Sequence, residues 1–545
     1  MSHARVRNVT HVMDAPAKVD QRMRRTGAFV LIFSVTALFR FSATHAMSND
    51  HFVHLAGAQQ MLFGDLPTRD FVDPGHPLQF IVSAAAQALI GRTLFAEAIV
   101  VAVMFGLAAA LTAAVVWELT ASMALAALAA LAEVVAFPRS YSYPKLFAYG
   151  LTFWLAARYV RQPTTARLVW LAAGVAIAFY LRHDHGLFLG IGAALTVLLA
   201  DELRQTIPRV AMLVAAISVM VAPYLVYVQA VLGLDMYFGT QMIYARDMSQ
   251  REAHAWPNPL IWPNRPEAIV FYTYYLLPVV VALTLLLARR TSHRRVVALV
   301  LPIAVVGLLT TFGFVRGLPL TPRLPDPIVP AVVLGAWLAH RAQEGRYGRG
   351  LTALAVILFA VSTYCLGRVS DFPAQLESAG LRASLFNLPA HLVERTAQLR
   401  ERFSEAQMPS STISQLRPFF DYLDRCTTTD DRLYLHGYIP EVAYYARRPF
   451  AGGAYVLPYS SSDASKRLLV ERLRRERVSF VLVASDYGDV GEWSPFVAEY
   501  LKPRFVPLTD VLVRDDLTIH IFVAAQHRSA LPDPKTGWPC FHSVD

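Results

Sequence analysis

Charge is what this 545-residue chain has least of. Only 17% of its residues are Asp, Glu, Lys or Arg, against about 25% in an ordinary soluble domain, which excludes a purely soluble globular protein and a disordered one. Cysteine is almost missing too. Cys365, Cys426 and Cys540, with no Cys-x-x-Cys pair, make neither a zinc site nor a dithiol redox motif. Internal repeats and low-complexity tracts are absent. What is present is apolar: 55% of the residues are hydrophobic and the mean hydropathy is +0.39. That is the composition of a polytopic α-helical membrane protein. The 50 Lys and Arg against 40 Asp and Glu give a formal charge of +10. In a membrane chain such an excess reports topology first, and no nucleic-acid partner is expected.

The first apolar run, 27–41, follows a tail carrying Arg22, Arg24 and Arg25, which holds the N-terminus in the cytoplasm. Thr44-His45-Ala46 resembles a small-residue cleavage site, but Arg40 interrupts the run and the rest of the chain is polytopic, so the segment is read as an uncleaved first span. Ten more apolar runs lie near 96–117, 122–137, 146–160, 168–181, 186–200, 209–232, 268–288, 296–315, 328–340 and 350–367. The run 77–91 starts with Pro77 and ends at Gly91-Arg92, and its length suits an interfacial or re-entrant helix. If it does not cross, the clusters Arg158/Arg161/Arg167, Arg204/Arg209, Arg289/Arg290/Arg294/Arg295 and Arg341/Arg346/Arg349 share the side of the basic N-terminus. About eleven spans therefore run from a cytoplasmic N-terminus to a periplasmic C-terminus in the cytoplasmic membrane.

The expected organisation is a cytoplasmic tail (1–26), a transmembrane domain (27–367) with an outer loop at 46–95 that contains the interfacial helix 77–91, and an extracytoplasmic soluble α/β domain (368–545). Further outer segments are 138–145, a long loop at 233–267 and 315–327, with the short link 182–185 on the same side. The tail has strand-like runs at 432–436, 479–484 and 518–524, helical stretches at 390–406 and 464–476, and a turn at Tyr487-Gly488-Asp489. Cys426 and Cys540 would share the oxidising side, either as a disulfide or as two separate cysteines.

Polar groups in so apolar a chain need an explanation. Asp50 stands just past the first span, where desolvation can suit a carboxylate to general-base work; the plainer role is an N-cap for the stretch starting at His51. Asp70 and Asp73 flank a turn leading through Pro74-Gly75 to His76 and Pro77, so turn formation competes with ligand contact for both, and His76 either donates to a ligand or bridges loop carbonyls. Arg182-His183-Asp184-His185 places four ionisable side chains between two apolar runs, a functional signal whose rival is a self-satisfying Arg/Asp pair. Two histidines at i and i+2 do not share a helix face, so no metal site is assigned there. Arg139, Tyr143, Lys145, Arg246, Arg251, His254, Arg265, Arg316 and Arg323 form an outer band on the side where positive charge is disfavoured. An anionic ligand accounts for the band; loop solvation accounts for its members singly.

In these features the chain resembles the GT-C superfamily of membrane glycosyltransferases, in particular the bacterial family 39 type related to protein mannosyltransferases. The features are Asp50 after the first span, Gly64-x-x-Pro67-x-x-Asp70, and Pro74-Gly75-His76-Pro77 opening a short apolar helix that ends at Gly91. The tail segment Asp431-Arg432-Leu433-Tyr434-Leu435-His436-Gly437-Tyr438-Ile439-Pro440-Glu441, followed by Tyr445-Ala446-Arg447-Arg448-Pro449, adds to it. The resemblance implies a hexosyl- or pentosyltransferase using a sugar carried on a polyprenyl phosphate in the lipid bilayer. The acceptor is a hydroxyl on a glycan, lipid or protein, and Asp50 is its general base. The leaving phosphate needs positive charge, from Lys145, Arg182, Arg246, Arg251 and Arg265 or from a divalent metal, with no other cofactor implied. His183, Asp184, Asp70, Asp73 and His76 complete the expected substrate-binding set.

The sequence departs from the family in two places. Many relatives carry Asp-Glu after the first span where this chain has Asp50-His51, and many carry an acid in the second outer loop, where 138–145 offers Arg139 and Lys145. Asp184 is then the alternative acid. Two other function classes compete: a transporter or flippase using Arg182 to His185 as a relay, and a non-catalytic envelope-assembly protein. Against transport, the sequence carries no inverted repeat and no matched pair of broken helices.

Overall fold

The computed structural model describes residues 14–47, 49–251, 257–258, 260–261, 265–287, 294–315, 320–344, 349–382, 385–404, 411–456, 462–514, 516–528 and 530–541. A helix covers each of the eleven apolar runs: α1 (Asp14–Ala43), then, after α2 (Asn49–Leu62) and α3 (Pro77–Ile90), α4 (Leu94–Thr120), α5 (Met123–Ala136), α6 (Tyr143–Arg161), α7 (Thr165–Leu181), α8 (His183–Ala200) and α9 (Leu203–Val231). After α10 (Leu234–Arg251) come α11 (Arg265–Leu287), α12 (Arg294–Val315), the short α13 (Leu320–Arg323), α14 (Ile328–Glu344) and α15 (Arg349–Val369). Six of these are long and apolar enough by themselves to cross a bilayer: the 23–43 part of α1, α4, α8, α9, α11 and α12. The bundle core is built from small and branched residues, among them Ala108, Ala113, Ala172, Val281 and Val332 on α4, α7, α11 and α14, which lets the helices approach closely without help from water.

Helix α3 is packed inside out. Its polar stripe, Gln79, Ser83 and Gln87 at i, i+4 and i+8, is buried, while Ile81 and Leu89 on the other side are 48% and 86% exposed. A helix in water does the reverse. The pattern suits a helix whose outer face meets lipid and whose inner face lines a polar interior.

The long outer segment expected at 233–267 as a loop is not one over its first half. Helix α10 occupies Leu234–Arg251, and its Tyr237 hydroxyl donates to Asp73 Oδ2 at 3.1 Å. The expectation overlooked that Leu234 to Arg251 contains no proline and only one glycine, Gly239, so nothing stops helix propagation there.

The tail carries α16 (Phe372–Ser378), α17 (Leu388–Arg400), α18 (Ser411–Cys426), β1 (Arg432–His436), α19 (Pro440–Ala446), α20 (Asp463–Arg475), β2 (Val478–Ala484), α21 (Val490–Trp493), α22 (Pro495–Leu501), β3 (Phe505–Arg514) and β4 (Leu517–Ala524). Its four-stranded sheet has the order β1-β2-β4-β3. The β1/β2 pair is parallel, with Tyr434 opposite Val481, and β4 runs antiparallel to both β2 and β3. A disulfide joins Cys426 at the end of α18 to Cys540, while Cys365 is free and buried.

The outer loop and the tail share a single hydrophobic core, in which Phe52, Phe71 and Phe80 lie with Tyr444, Phe450 and Phe480. Polar ties reinforce it. Arg432 Nη1 donates to Asp65 Oδ2 at 2.6 Å, and Gln60 both donates to Phe450 O (3.1 Å) and accepts from Phe450 N (3.0 Å). Gly453, at φ +68°, brings its backbone against Asp70 and Phe71, where a Cβ would collide, and its carbonyl accepts from Val72 N at 2.9 Å.

Candidate active site

Asp50 lies in the first turn of α2, where the helix N-terminus favours a carboxylate. Its side chain is 44% exposed. The Tyr438 hydroxyl, from the loop after β1, donates to Oδ1 at 2.5 Å, and Arg139 Nη1 lies 4.0 Å from Oδ2. The guanidinium of Arg139 stacks 4.4 Å over Tyr141, whose phenol is pushed well above the ordinary tyrosine range by burial and then by the charge of Asp50. Asp50 is therefore held from two sides: by the second outer loop and by the tail domain.

Behind it lies a buried polar layer. His51 hydrogen-bonds through Nε2 to Glu97 Oε1 (2.8 Å) and through Nδ1 to Ser140 Oγ (2.9 Å), so one imidazole ties α2 to α4 and to the loop carrying Arg139. Its ring continues into His54 (centroids 5.8 Å apart) and then His76 (4.8 Å). Burial, reinforced by the neighbouring imidazoles, holds His54 well below the usual histidine range. Burial also takes His76 down to about 4 against the opposing pull of Asp73.

The cations gather beside Asp50. Lys145 Nζ donates to Asp326 Oδ2 at 2.5 Å, and Ser142 Oγ donates to the other oxygen at 2.8 Å. Burial alone would raise the Asp326 carboxyl, but Lys145 and Arg139 outweigh it and bring it down to about 2. Arg182 Nε donates to Asp184 Oδ1 at 2.8 Å. Arg323 lies within electrostatic range of Arg182, Asp326 and Arg139. Asp50, Asp184 and Asp326 thus face Arg139, Lys145, Arg182 and Arg323. Among the described residues Arg323 makes no ion pair, so the group carries one surplus positive charge, suited to an anion.

Asp73 is buried, with Oδ1 accepting from Gly75 N and His76 N at 2.9 Å each and Oδ2 accepting from the Tyr224 and Tyr237 hydroxyls. His183 joins that corner through Tyr237 (2.9 Å) and packs against Gly75, whose φ of +98° opens the turn. Asp70 closes a turn, accepting from Leu66 N at 2.8 Å and from Arg69 Nη2 at 2.6 Å. Arg246 is exposed on α10, 4.0 Å from Asp247, and Arg265 is exposed at the start of α11. The Arg251 side chain, His254 and Arg316 lie outside the described residues. Among the described residues no three His, Cys, Asp or Glu side chains gather as a metal ion requires.

Sequence reasoning missed Asp326, Glu97 and His54. The signal for Asp326 was available: it stands in Leu324-Pro325-Asp326-Pro327, an acid between apolar helices on the same side as Asp50. His51 and His54, at i and i+3, share a helix face.

No protein-family model matches the chain, and no curated protein matches it. Among solved structures it is similar to the crystal structure of ArnT from Cupriavidus metallidurans bound to undecaprenyl phosphate. The TM-score is 0.51 and the identity 13%, covering 90% of this chain and 97% of that one. At this identity the likeness establishes the fold alone, an ArnT-like helical bundle with a small C-terminal sheet.

Proposed function

We propose that the chain is a membrane glycosyltransferase that moves a sugar from a polyprenyl-phosphate-linked donor to an acceptor hydroxyl at the outer face of the cytoplasmic membrane, with Asp50 as general base. The observation that carries the reading is the half-exposed Asp50 carboxylate set beside a part-buried cation group, anchored on the buried Lys145–Asp326 pair and carrying one surplus charge. The fold shared with a structure that holds undecaprenyl phosphate supports a lipid-linked donor.

The chemistry follows from these groups. Asp50 accepts the proton of the acceptor hydroxyl as its oxygen attacks the anomeric carbon of the donor. The bond from that carbon to the phosphate oxygen breaks, and the electron pair leaves with polyprenyl phosphate. Arg182, Arg323 and Lys145 stabilise the charge that develops on the leaving oxygen. No separate acid is needed, because a phosphate ester already leaves as an anion. A donor tail confined to the bilayer accounts for a site built where α2, α6 and α8 begin.

The test is full-length protein in lipid nanodiscs, given a panel of labelled polyprenyl-phosphate sugars, with release of polyprenyl phosphate as the readout. Wild type turns over at least one donor and Asp50→Asn loses at least a hundredfold in kcat. Equal turnover by both would remove Asp50 as the base. Binding and movement of an unmodified lipid-linked substrate without bond cleavage would favour a flippase instead.

A further inference from the structure

Beside the C-terminal half of α2, a cationic cleft lies between the start of α4 and the tail, lined by Gln59, Arg92, Thr93, Glu401, Arg402 and Arg447. Four observations converge on it. Helix α4 begins here, with Thr93 and Leu94 lining the cleft, and the Thr93 side chain leaves the helix N-terminus uncapped, so amides of its first turn lack a side-chain acceptor. Gln59 is 3% exposed, yet its Nε2 donor has no partner, a state that is destabilising unless a ligand or water accepts from it. Of the three guanidinium groups, Arg402 is committed to Asp424 and Tyr445 O. Arg92 reaches only Leu62 O (3.3 Å) and the Phe63 ring, and among the described residues neither it nor Arg447 forms an ion pair. Against them stands one carboxylate, Glu401, so the cleft keeps a positive balance. Arg447 is held there at φ +50°, the left-handed end of α19.

We propose that this cleft binds the phosphate of an anionic phospholipid headgroup, separately from the Asp50 site. A phosphate diester presents the acceptors that Gln59 Nε2, the α4 amides and the free guanidinium groups require. The lipid source rests on position. Arg92 stands two residues past the end of α3, where Leu89 and Ile90 are 86% and 43% exposed, so the cleft lies next to the exposed apolar end of that helix. The headgroup would pin α3 and the first turn of α4 against α19, and so fix the tail domain over the outer loop. This role is independent of which sugar, if any, is transferred at Asp50.

The experiment uses full-length protein in nanodiscs of phosphatidylcholine alone, of phosphatidylcholine with phosphatidylglycerol, and of phosphatidylcholine with added inorganic phosphate. Hydrogen exchange of 90–96 and 444–448 is followed, along with retained lipid by native mass spectrometry after extraction. Phosphatidylglycerol slows exchange in both segments and is retained, whereas Arg447→Gln and Gln59→Leu each lower retention by about tenfold. Both changes are needed because Gln59 is buried and Arg447 is exposed, so a folding defect in one leaves the other informative. Equal protection by inorganic phosphate would keep the anion site and overturn the lipid assignment. Exchange indifferent to all three conditions, or retention unchanged in both variants, would overturn the site itself.

Discussion

The hydroxyl of Tyr438 donates to Asp50 Oδ1 at 2.5 Å across 388 positions of sequence. A phenol from the tail domain therefore occupies the place on the carboxylate that an acceptor hydroxyl would take. In the proposed reaction the acceptor displaces Tyr438 or shares Asp50 with it. Tyr438→Phe is expected to lower the acceptor KM about five- to twelvefold while kcat changes little, because the competing donor costs about 1–1.5 kcal/mol. A kcat drop with unchanged KM would show instead that Tyr438 orients Asp50 throughout turnover.

Lys145 and Asp326 are each 4% exposed, so neither charge is hydrated if the other is removed. Asp326→Asn should destabilise the protein by about 3–5 kcal/mol, and removing both charges together with apolar replacements should cost less than either single change. Thermal unfolding of the two single variants and the double variant in nanodiscs, set out as a cycle, measures the coupling. Additive effects would mean the pair is solvated.

The histidine row makes stability depend on pH. His54 and His76 are held neutral by burial, with Asp73, Arg182, His183 and His51 around them. A group whose folded pKa lies below its unfolded value stabilises the fold fully above the unfolded pKa, near 6.5. That contribution falls as pH drops from there toward the folded value, about 4 for His76. Between pH 7.5 and pH 5, His76 alone should remove about 2 kcal/mol, read as a fall in Tm. His76→Gln should flatten the slope; an unchanged slope would place the titration elsewhere.

The Cys426–Cys540 disulfide closes a loop of 114 residues and ties the end of α18 to the C-terminal segment. Loop-closure entropy of that length is about 4–5 kcal/mol in the chain-entropy model. Cys426→Ser with Cys540→Ser should lower the unfolding temperature of the tail without altering the bundle. Measuring it by near-ultraviolet circular dichroism separates the two, since Tyr422 and Trp538 pack beside the bridge, with ring centroids 5.1 Å apart.

Much of the architecture is legible without coordinates because lipid imposes a one-dimensional rule. Apolar runs of sufficient length become helices, since no backbone amide can go unpaired in hydrocarbon. The helix over 77–90, the strands β1, β2 and β4, and the helix α20 fall where their patterns place them, while α17 ends at Arg400, short of the stretch expected at 390–406. β3 was missed. Pro507 and the register shift beside it break the alternation that marks a strand. The site was legible only in part. Asp50, Lys145, Arg182 and Asp184 stand out because charge is scarce, but Asp326 and Tyr438 reach them from 181 and 388 positions away.

Composition and hydropathy already define a helical membrane bundle followed by a tail of different character, and mark the charges too costly to be incidental, because both follow from transfer free energy residue by residue. Which charge meets which is set by the packing of the helices. It commits Lys145 to Asp326 and leaves Arg323 over. It also brings a tail tyrosine onto Asp50 and buries the polar stripe of α3, with Gln79 donating to Leu181 O at the end of α7. Those pairings depend on helices packing at ångström distances, and no period or composition in a single chain encodes them.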